Sequence, residues 1–88
     1  MLKIEKRCWP EYFQAILDGK KAYEVRLNDF EIGEGDVLIL REWNPETKEY
    51  NGRTIEKKVT YVGKFMLDKL FWPKEEIEKH GLQVISLK

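Results

Sequence analysis

Three charged side chains, Lys21, Glu24 and Arg26, form the strongest chemical pattern in the sequence. Glu24 and Arg26 are two residues apart, so on a strand they share a face, with Cα atoms roughly 6.5–7 Å apart. Arginine offers a planar fork for a phosphate or a base edge, and lysine offers a compact positive charge. Glutamate accepts hydrogen bonds, including those from the amino group of a base. The pattern therefore predicts a site that binds a nucleotide through both its phosphate and its base.

The same spacing also fits a surface ion pair between Glu24 and Arg26 beside a solvated lysine, and spacing alone does not decide between the two. Lys20 is a further candidate because it adjoins the trio. Trp9 is a candidate because aromatic rings beside basic groups stack on the bases of single-stranded nucleic acid. Arg53 is a candidate contact for a phosphate backbone. The alternatives are packing at the rim of the core for Trp9 and a solvated loop for Arg53.

The composition indicates one small cytoplasmic domain covering residues 1–88. Forty-two per cent of the residues are hydrophobic, which is enough for the chain to bury a core. The formal net charge is zero, so the chain as a whole is not an obvious binder of polyanions. A single cysteine and a single histidine exclude an internal disulfide and the usual zinc sites. We therefore expect no metal, no cofactor and no membrane span, and a reducing compartment.

Hydrophobic periodicity divides the first third of the chain into three elements. Residues 2–8 alternate and predict a half-buried strand. Residues 10–18 carry an apolar stripe at helical spacing, with proline at the first position and Gly19 as the stop. Residues 21–27 return to a period of two and predict a strand. The charged trio is thereby expected on a strand that follows directly from a helix.

The rest of the chain predicts a hairpin, a second helix and a last strand. Strands are expected at 37–43 and 53–62, joined by a long mobile tip over 44–52. A short helix is expected from Pro73 to Gly81, with a closing strand over 82–87. This order predicts an α+β fold, a small β-barrel of about five or six mostly antiparallel strands with two short peripheral helices.

The signature Gly19-x-Lys21-x-x-Glu24-x-Arg26 resembles that of the ASCH domain, a family of the PUA-like superfamily of small β-barrels often associated with RNA. The chain is similar in particular to a bacterial and phage subfamily, DUF3850. This similarity extends to Pro10-Glu11-Tyr12-Phe13, Gly35-Asp36-Val37-Leu38, Tyr50-Asn51-Gly52-Arg53 and Val59-Thr60-Tyr61-Val62. It covers most of residues 1–63 and the last strand.

The resemblance implies a cleft between the first helix and the barrel, lined by Lys21, Glu24 and Arg26. An RNA- or nucleotide-binding module is the first expectation. The second is a small amidohydrolase acting on an acylated or modified nucleoside, with Lys21 and Glu24 as the reactive pair. One ASCH enzyme deacetylates N4-acetylcytidine and has a threonine where this chain has Glu24, so the resemblance favours binding over catalysis. The third is a protein-interaction module that uses the apolar stretch 65–72, with a homodimer as a candidate assembly.

Overall fold

The computed structural model describes residues 1–85, which form a small α+β fold. Its elements are β1 (Lys3–Cys8), α1 (Pro10–Leu17), β2 (Val37–Asn44), β3 (Glu49–Lys58), a single 3₁₀ turn (Leu67–Lys69) and α2 (Lys74–His80). The strands form one open sheet in the order β1-β2-β3. β1 runs parallel to β2, and β3 runs antiparallel to it. The predicted α+β class is confirmed. The described residues do not form the predicted barrel, because this sheet has three strands and is mixed.

The core lies between the inner face of the sheet and α1. Phe13 and Ile16 of α1 are buried against Leu38 and Leu40 of β2, and Cys8 at the end of β1 completes the cluster. Full burial of one such large side chain contributes roughly 1.5–3 kcal/mol. The cluster therefore fixes α1 across β2, the central strand.

The helix α1 begins and ends where the sequence predicts, to within one residue. Pro10 occupies the first turn, where a missing N–H costs nothing. Gly19 takes a φ of 76°, a conformation that glycine adopts without a steric penalty. The amide of Lys20 then donates to the carbonyl of Ala15, as does the amide of Lys21. The chain therefore leaves the helix with a fixed direction at the start of the charged segment.

The predicted strand over 21–27 is wrong, since these residues form an irregular connection. Within the described structure, no backbone–backbone hydrogen bond joins residues 22–32 to the sheet. Side chains anchor the segment instead: Arg26 donates to the carbonyl of Arg7, and Lys21 donates to the carbonyl of Tyr23. Period-two patterning was misleading here because the positions are ordered by charge pairing rather than by a buried face.

The hairpin is tighter than predicted. Its turn covers only residues 45–48, where the Asn44 side chain accepts hydrogen bonds from the amides of Glu46 and Thr47. Gly52, expected in a turn, lies inside β3 with a φ of 85°, where the pairing between β2 and β3 is irregular. The extra residues form a bulge opposite Glu42, and bulges of this kind re-aim neighbouring side chains.

The C-terminal part follows the sequence prediction at the second helix only. α2 ends at Gly81, which has a positive φ. No strand forms over residues 82–85, and the rest of the predicted strand, 86–87, lies outside the described residues. No helix within residues 1–85 has the length and hydrophobicity needed to cross a bilayer.

Candidate functional site

The structure brings Lys21, Glu24 and Arg26 together as one ion-paired triad. The Lys21 ammonium donates to Oε1 of Glu24 at 2.8 Å, and Nε of Arg26 donates to Oε2 of the same carboxylate at 2.8 Å. The side chain of Lys21 is 15% exposed, that of Glu24 is 16% exposed and that of Arg26 is 30% exposed. The triad is thus partly desolvated, where charges interact more strongly than on an open surface.

Two anchors fix the triad to the core elements. Arg26 reaches β1 by donating from Nη2 to the carbonyl of Arg7. Lys21 is held at the end of α1 by its amide, which donates to the carbonyl of Ala15 at 3.1 Å. The triad therefore spans from the helix to the edge strand, although it stands on an irregular segment.

The triad lines an open cleft of about 450 Å³, which we call the cleft. Trp9 and Tyr12 form one wall, with ring centroids 6.1 Å apart and planes inclined by 19°. Both rings are close to half exposed. The Lys21 ammonium lies 4.8 Å from the centroid of the Tyr23 ring and 5.7 Å from that of Tyr12. The complete lining is Arg7, Cys8, Trp9, Tyr12, Lys21, Tyr23, Glu24, Val25, Arg26 and Val84.

The triad has unused donors and a net positive charge. Two cations and one carboxylate sum to one positive charge. Lys21 has three N–H donors, of which Glu24 and the Tyr23 carbonyl take two. Arg26 uses Nε and Nη2, which leaves the Nη1 donors for a ligand. The arrangement can therefore bind an anion without breaking its internal hydrogen bonds.

The same geometry bears on the amidohydrolase hypothesis. Both oxygens of Glu24 already accept a hydrogen bond from a cation. Each oxygen keeps one further acceptor site, but the carboxylate is already committed to holding two cations in place. The arrangement therefore suits the positioning of Lys21 and Arg26 better than the proton transfer that a general base performs.

Cys8 lies at the bottom of the cleft and is buried. Burial raises the pKa of its thiol, and the nearby Glu24 carboxylate adds to this effect, while Lys21 and Arg26 oppose it. The group therefore remains a neutral thiol at pH 7. Cys8 acts as a packing residue of the core, a role typical of a buried free cysteine.

The other candidate residues from the sequence divide between the cleft and the surface outside it. Trp9 lines the cleft, whereas Lys20 is exposed and does not. Arg53 lies on β3, outside the cleft, and pairs with Glu42 through two hydrogen bonds of 2.8 Å each. This pairing lowers the pKa of the buried Glu42 carboxyl and raises that of Arg53.

Among the charged and aromatic residues that line the cleft, the sequence analysis did not single out Tyr12, Tyr23 or Arg7. Tyr12 lies three positions after Trp9 at the start of α1, and this spacing, which places both rings on one side of the helix, could have identified it. Arg7 carried no signal, since a charged residue on the outward side of a strand is ordinary. Within residues 1–85, no three metal-ligating side chains of His, Cys, Asp or Glu converge.

Comparison with known proteins gives a family without an assigned role. The family model DUF3850, described as a domain of unknown function, matches residues 2–71. An uncharacterized 12.9 kDa protein in the GpA 3′ region of Escherichia phage P2 is 40% identical over 63 residues, which are 70% of this chain and 56% of that protein. The chain thus spans little more than half the length of this relative. No solved structure matches the chain at a significant level.

Proposed function

The chain belongs to the DUF3850 family, and we propose that its cleft binds a nucleotide, either free or as part of an RNA. The observation that carries the proposal is the convergence of Lys21, Glu24 and Arg26 in one open cleft beside a stacked pair of aromatic rings. A volume of about 450 Å³ falls in the range of small-molecule pockets.

The cations take the phosphate in this proposal. The ammonium of Lys21 and the guanidinium of Arg26 bind the same carboxylate, so their two positive charges lie close together. Because Glu24 fixes both cations before any ligand arrives, little side-chain entropy is lost on binding. Glu24 neutralises only one of the two positive charges, and the remaining positive charge suits the binding of a phosphate ester.

The aromatic wall takes the base. Trp9 and Tyr12 are nearly parallel and half exposed, so one ring face remains open to a planar ligand. Stacking of one base on an aromatic side chain contributes about 1–3 kcal/mol. Each oxygen of Glu24 retains a second acceptor site, which suits the amino group of cytosine or adenine.

The signature Gly19-x-Lys21-x-x-Glu24-x-Arg26 supports a finer placement of the chain. We propose that it is an ASCH-type domain of the PUA-like superfamily, whose members are often associated with RNA. Gly19 ends α1 and the three charged residues line the cleft, so every defined position of the signature has a structural role here.

The proposal is tested by calorimetric titration with the four ribonucleoside monophosphates between 50 and 200 mM salt. We expect binding that weakens as salt rises, because phosphate contacts release counterions. Lys21→Ala and Arg26→Gln should each weaken binding at least tenfold. Lys20→Gln is the matched control, since it removes a neighbouring positive charge that does not line the cleft.

Equal losses in Lys20→Gln and Lys21→Ala would show that only general charge matters, and would contradict a defined site. Absence of binding for every nucleotide by the folded protein would reject the proposal. The titration should include N4-acetylcytidine, since product formation would revive the hydrolase hypothesis.

A further inference from the structure

A second basic surface lies on the outer face of the sheet, opposite the face that packs on α1. Arg7 of β1 and Arg41 of β2 are directly paired positions in the parallel register. They line a groove of about 230 Å³ together with Glu5, Lys6 and Tyr50, which we call the outer groove. Arg7 and Arg41 against Glu5 leave a surplus of one positive charge on this face, since Lys6 alternates to the other side of β1, where its ammonium lies 3.8 Å from the centroid of the Phe30 ring.

Each of the two arginines stacks on an aromatic ring. The Arg7 guanidinium lies 4.7 Å from the centroid of the Trp43 ring, and that of Arg41 lies 3.9 Å from the centroid of the Tyr50 ring. Trp43 and Tyr50 are themselves paired across β2 and β3. Two arginine–aromatic units therefore run side by side over all three strands.

Apart from these two rings, the guanidinium groups have no partner in the part of the chain that the structure describes. Neither side chain forms a hydrogen bond or an ion pair within residues 1–85. Like charges placed directly opposite each other on neighbouring strands are destabilising. A polyanion would remove that repulsion, and a stacked guanidinium keeps its N–H edge free for phosphate.

The outer groove is continuous with the cleft through one residue. Arg7 lines both, and its carbonyl accepts the hydrogen bond from Arg26 of the triad. We therefore propose that the chain binds a single-stranded oligonucleotide that passes from the cleft, over Arg7, to the Arg41–Tyr50 unit. This inference rests on the proposed function and specifies its ligand as a strand rather than a free nucleotide.

The physical chemistry of the groove favours a single strand. Exposed aromatic rings interleaved with arginines bind unstacked bases and the phosphates between them. A duplex hides its base faces, so it would leave the ring of Tyr50, 44% exposed, unused. The ligand is therefore expected to need at least two unpaired nucleotides.

The test compares one nucleotide with a strand. Fluorescence anisotropy would measure an eight-nucleotide RNA of mixed sequence, the same sequence as DNA, the RNA as a duplex, and a labelled mononucleotide. We expect one of the single-stranded octamers to bind at least tenfold more tightly than the mononucleotide. Equal affinity for octamer and mononucleotide, or equal affinity for strand and duplex, would overturn the inference.

Variants of the outer groove locate the contact. Arg41→Gln and Tyr50→Ala should each weaken octamer binding roughly five- to tenfold while mononucleotide binding stays unchanged. Arg41→Gln should also make the slope of log affinity against log salt shallower by about 0.7. Tyr50→Phe keeps the ring and should retain octamer binding. Lys79→Gln in α2 is the charge-matched control, since Lys79 lines neither pocket.

The outcomes separate the two proposals. Octamer binding that falls in Lys21→Ala and is unchanged in Arg41→Gln and Tyr50→Ala would reject the outer groove and keep the cleft. No binding of either ligand by the folded wild type would reject both. A melting curve for each variant shows that a loss of binding does not come from unfolding.

Discussion

Glu24 is the residue on which the geometry of the cleft depends. It accepts from Lys21 and from Arg26 through different oxygens, so one carboxylate fixes the position of both cations. Removal of one member of a partly buried ion pair leaves its partner without compensation. The role of Glu24 is therefore both to hold the cations and, in our proposal, to contact the base.

Glu24→Gln separates these two roles. The substitution raises the charge of the triad, so attraction to phosphate should increase for every nucleotide. It also replaces a carboxylate, which only accepts hydrogen bonds, by an amide, which also donates them. The ratio of the affinity for cytidine monophosphate to that for uridine monophosphate should therefore fall toward one. Calorimetry of both ligands with the wild type and the variant measures this ratio. An unchanged ratio would show that Glu24 does not contact the base.

The Glu42–Arg53 pair lies outside the cleft and joins β2 to β3. The Glu42 side chain is only 4% exposed, whereas that of Arg53 is 47% exposed. Arg53→Gln should therefore lower the melting temperature more than Glu42→Gln, since it leaves a buried carboxylate unpaired while the second variant leaves an arginine that can reach water. Thermal melting at pH 7 compares them, and equal losses would contradict this view of the pair.

The effect of pH on this pair has a defined sign. Because Arg53 lowers the pKa of Glu42 in the folded state, the pair's stabilisation is present above the ordinary value of 4.5 and lost as the pH falls through the lower folded value. In Arg53→Gln the unpaired buried carboxyl should favour its neutral form. The difference in melting temperature between wild type and variant should therefore shrink from pH 7 to pH 4. A constant difference would mean that Glu42 does not titrate as described.

At the scale of elements, Asp36 joins the start of β1 to the turn before β2. Its carboxylate accepts from the amide of Leu2 at 2.9 Å and from that of Gly33 at 2.9 Å. These two hydrogen bonds lower the pKa of Asp36, so their stabilisation is present above the ordinary value of 3.8 and lost as the pH falls through the folded value. The register of the parallel pair depends in part on this link.

Asp36→Ala should loosen the start of β1 without displacing the core. We expect faster amide hydrogen exchange at Gly33 and in the first residues of β1, with a melting temperature lower by a few degrees and little change at Leu40. Exchange followed by NMR at pH 6 measures this. Uniformly faster exchange across the sheet would show that the link supports the whole fold rather than one strand.

The elements show how far the sequence could predict the fold. The helix α1, the strands β1 and β2 and the end at Gly19 follow from periodicity and from the chemistry of proline and glycine, because each is fixed by its own residues. The irregular course of 21–27 could not be predicted, since it depends on pairing between distant groups such as Arg26 and the Arg7 carbonyl. The Glu42–Arg53 pair was missed for the same reason, as it forms across a bulge.

The sequence predicted the charged residues of the candidate site, but not the tyrosines that line the cleft beside them. The spacing of Lys21, Glu24 and Arg26 predicted that they would meet, although they do so on an irregular segment rather than on a strand. Tyr12 joins them because Phe13 and Ile16 pack α1 onto the core, and Tyr23 joins them because it lies between Lys21 and Glu24 in the irregular segment.

At the scale of the whole molecule, one apolar stretch remains unexplained by the nucleotide proposal. Phe71 is 96% exposed, and Phe65 and Trp72 are both more than half exposed. Exposed apolar patches often mark interfaces, so a homodimer stays a prediction. Sedimentation velocity across a hundredfold range of concentration tests it: a mass that rises with concentration supports a dimer, and a constant monomer mass opposes it.

The central claim is that Lys21, Glu24 and Arg26 receive one ligand together, and an NMR titration with a mixture of ribonucleotides tests it most directly. Amide signals of all three residues should shift along one saturation curve, with the indole signal of Trp9 following the same curve. Shifts that scatter over the surface, or that follow separate curves for the three residues, would contradict a shared site.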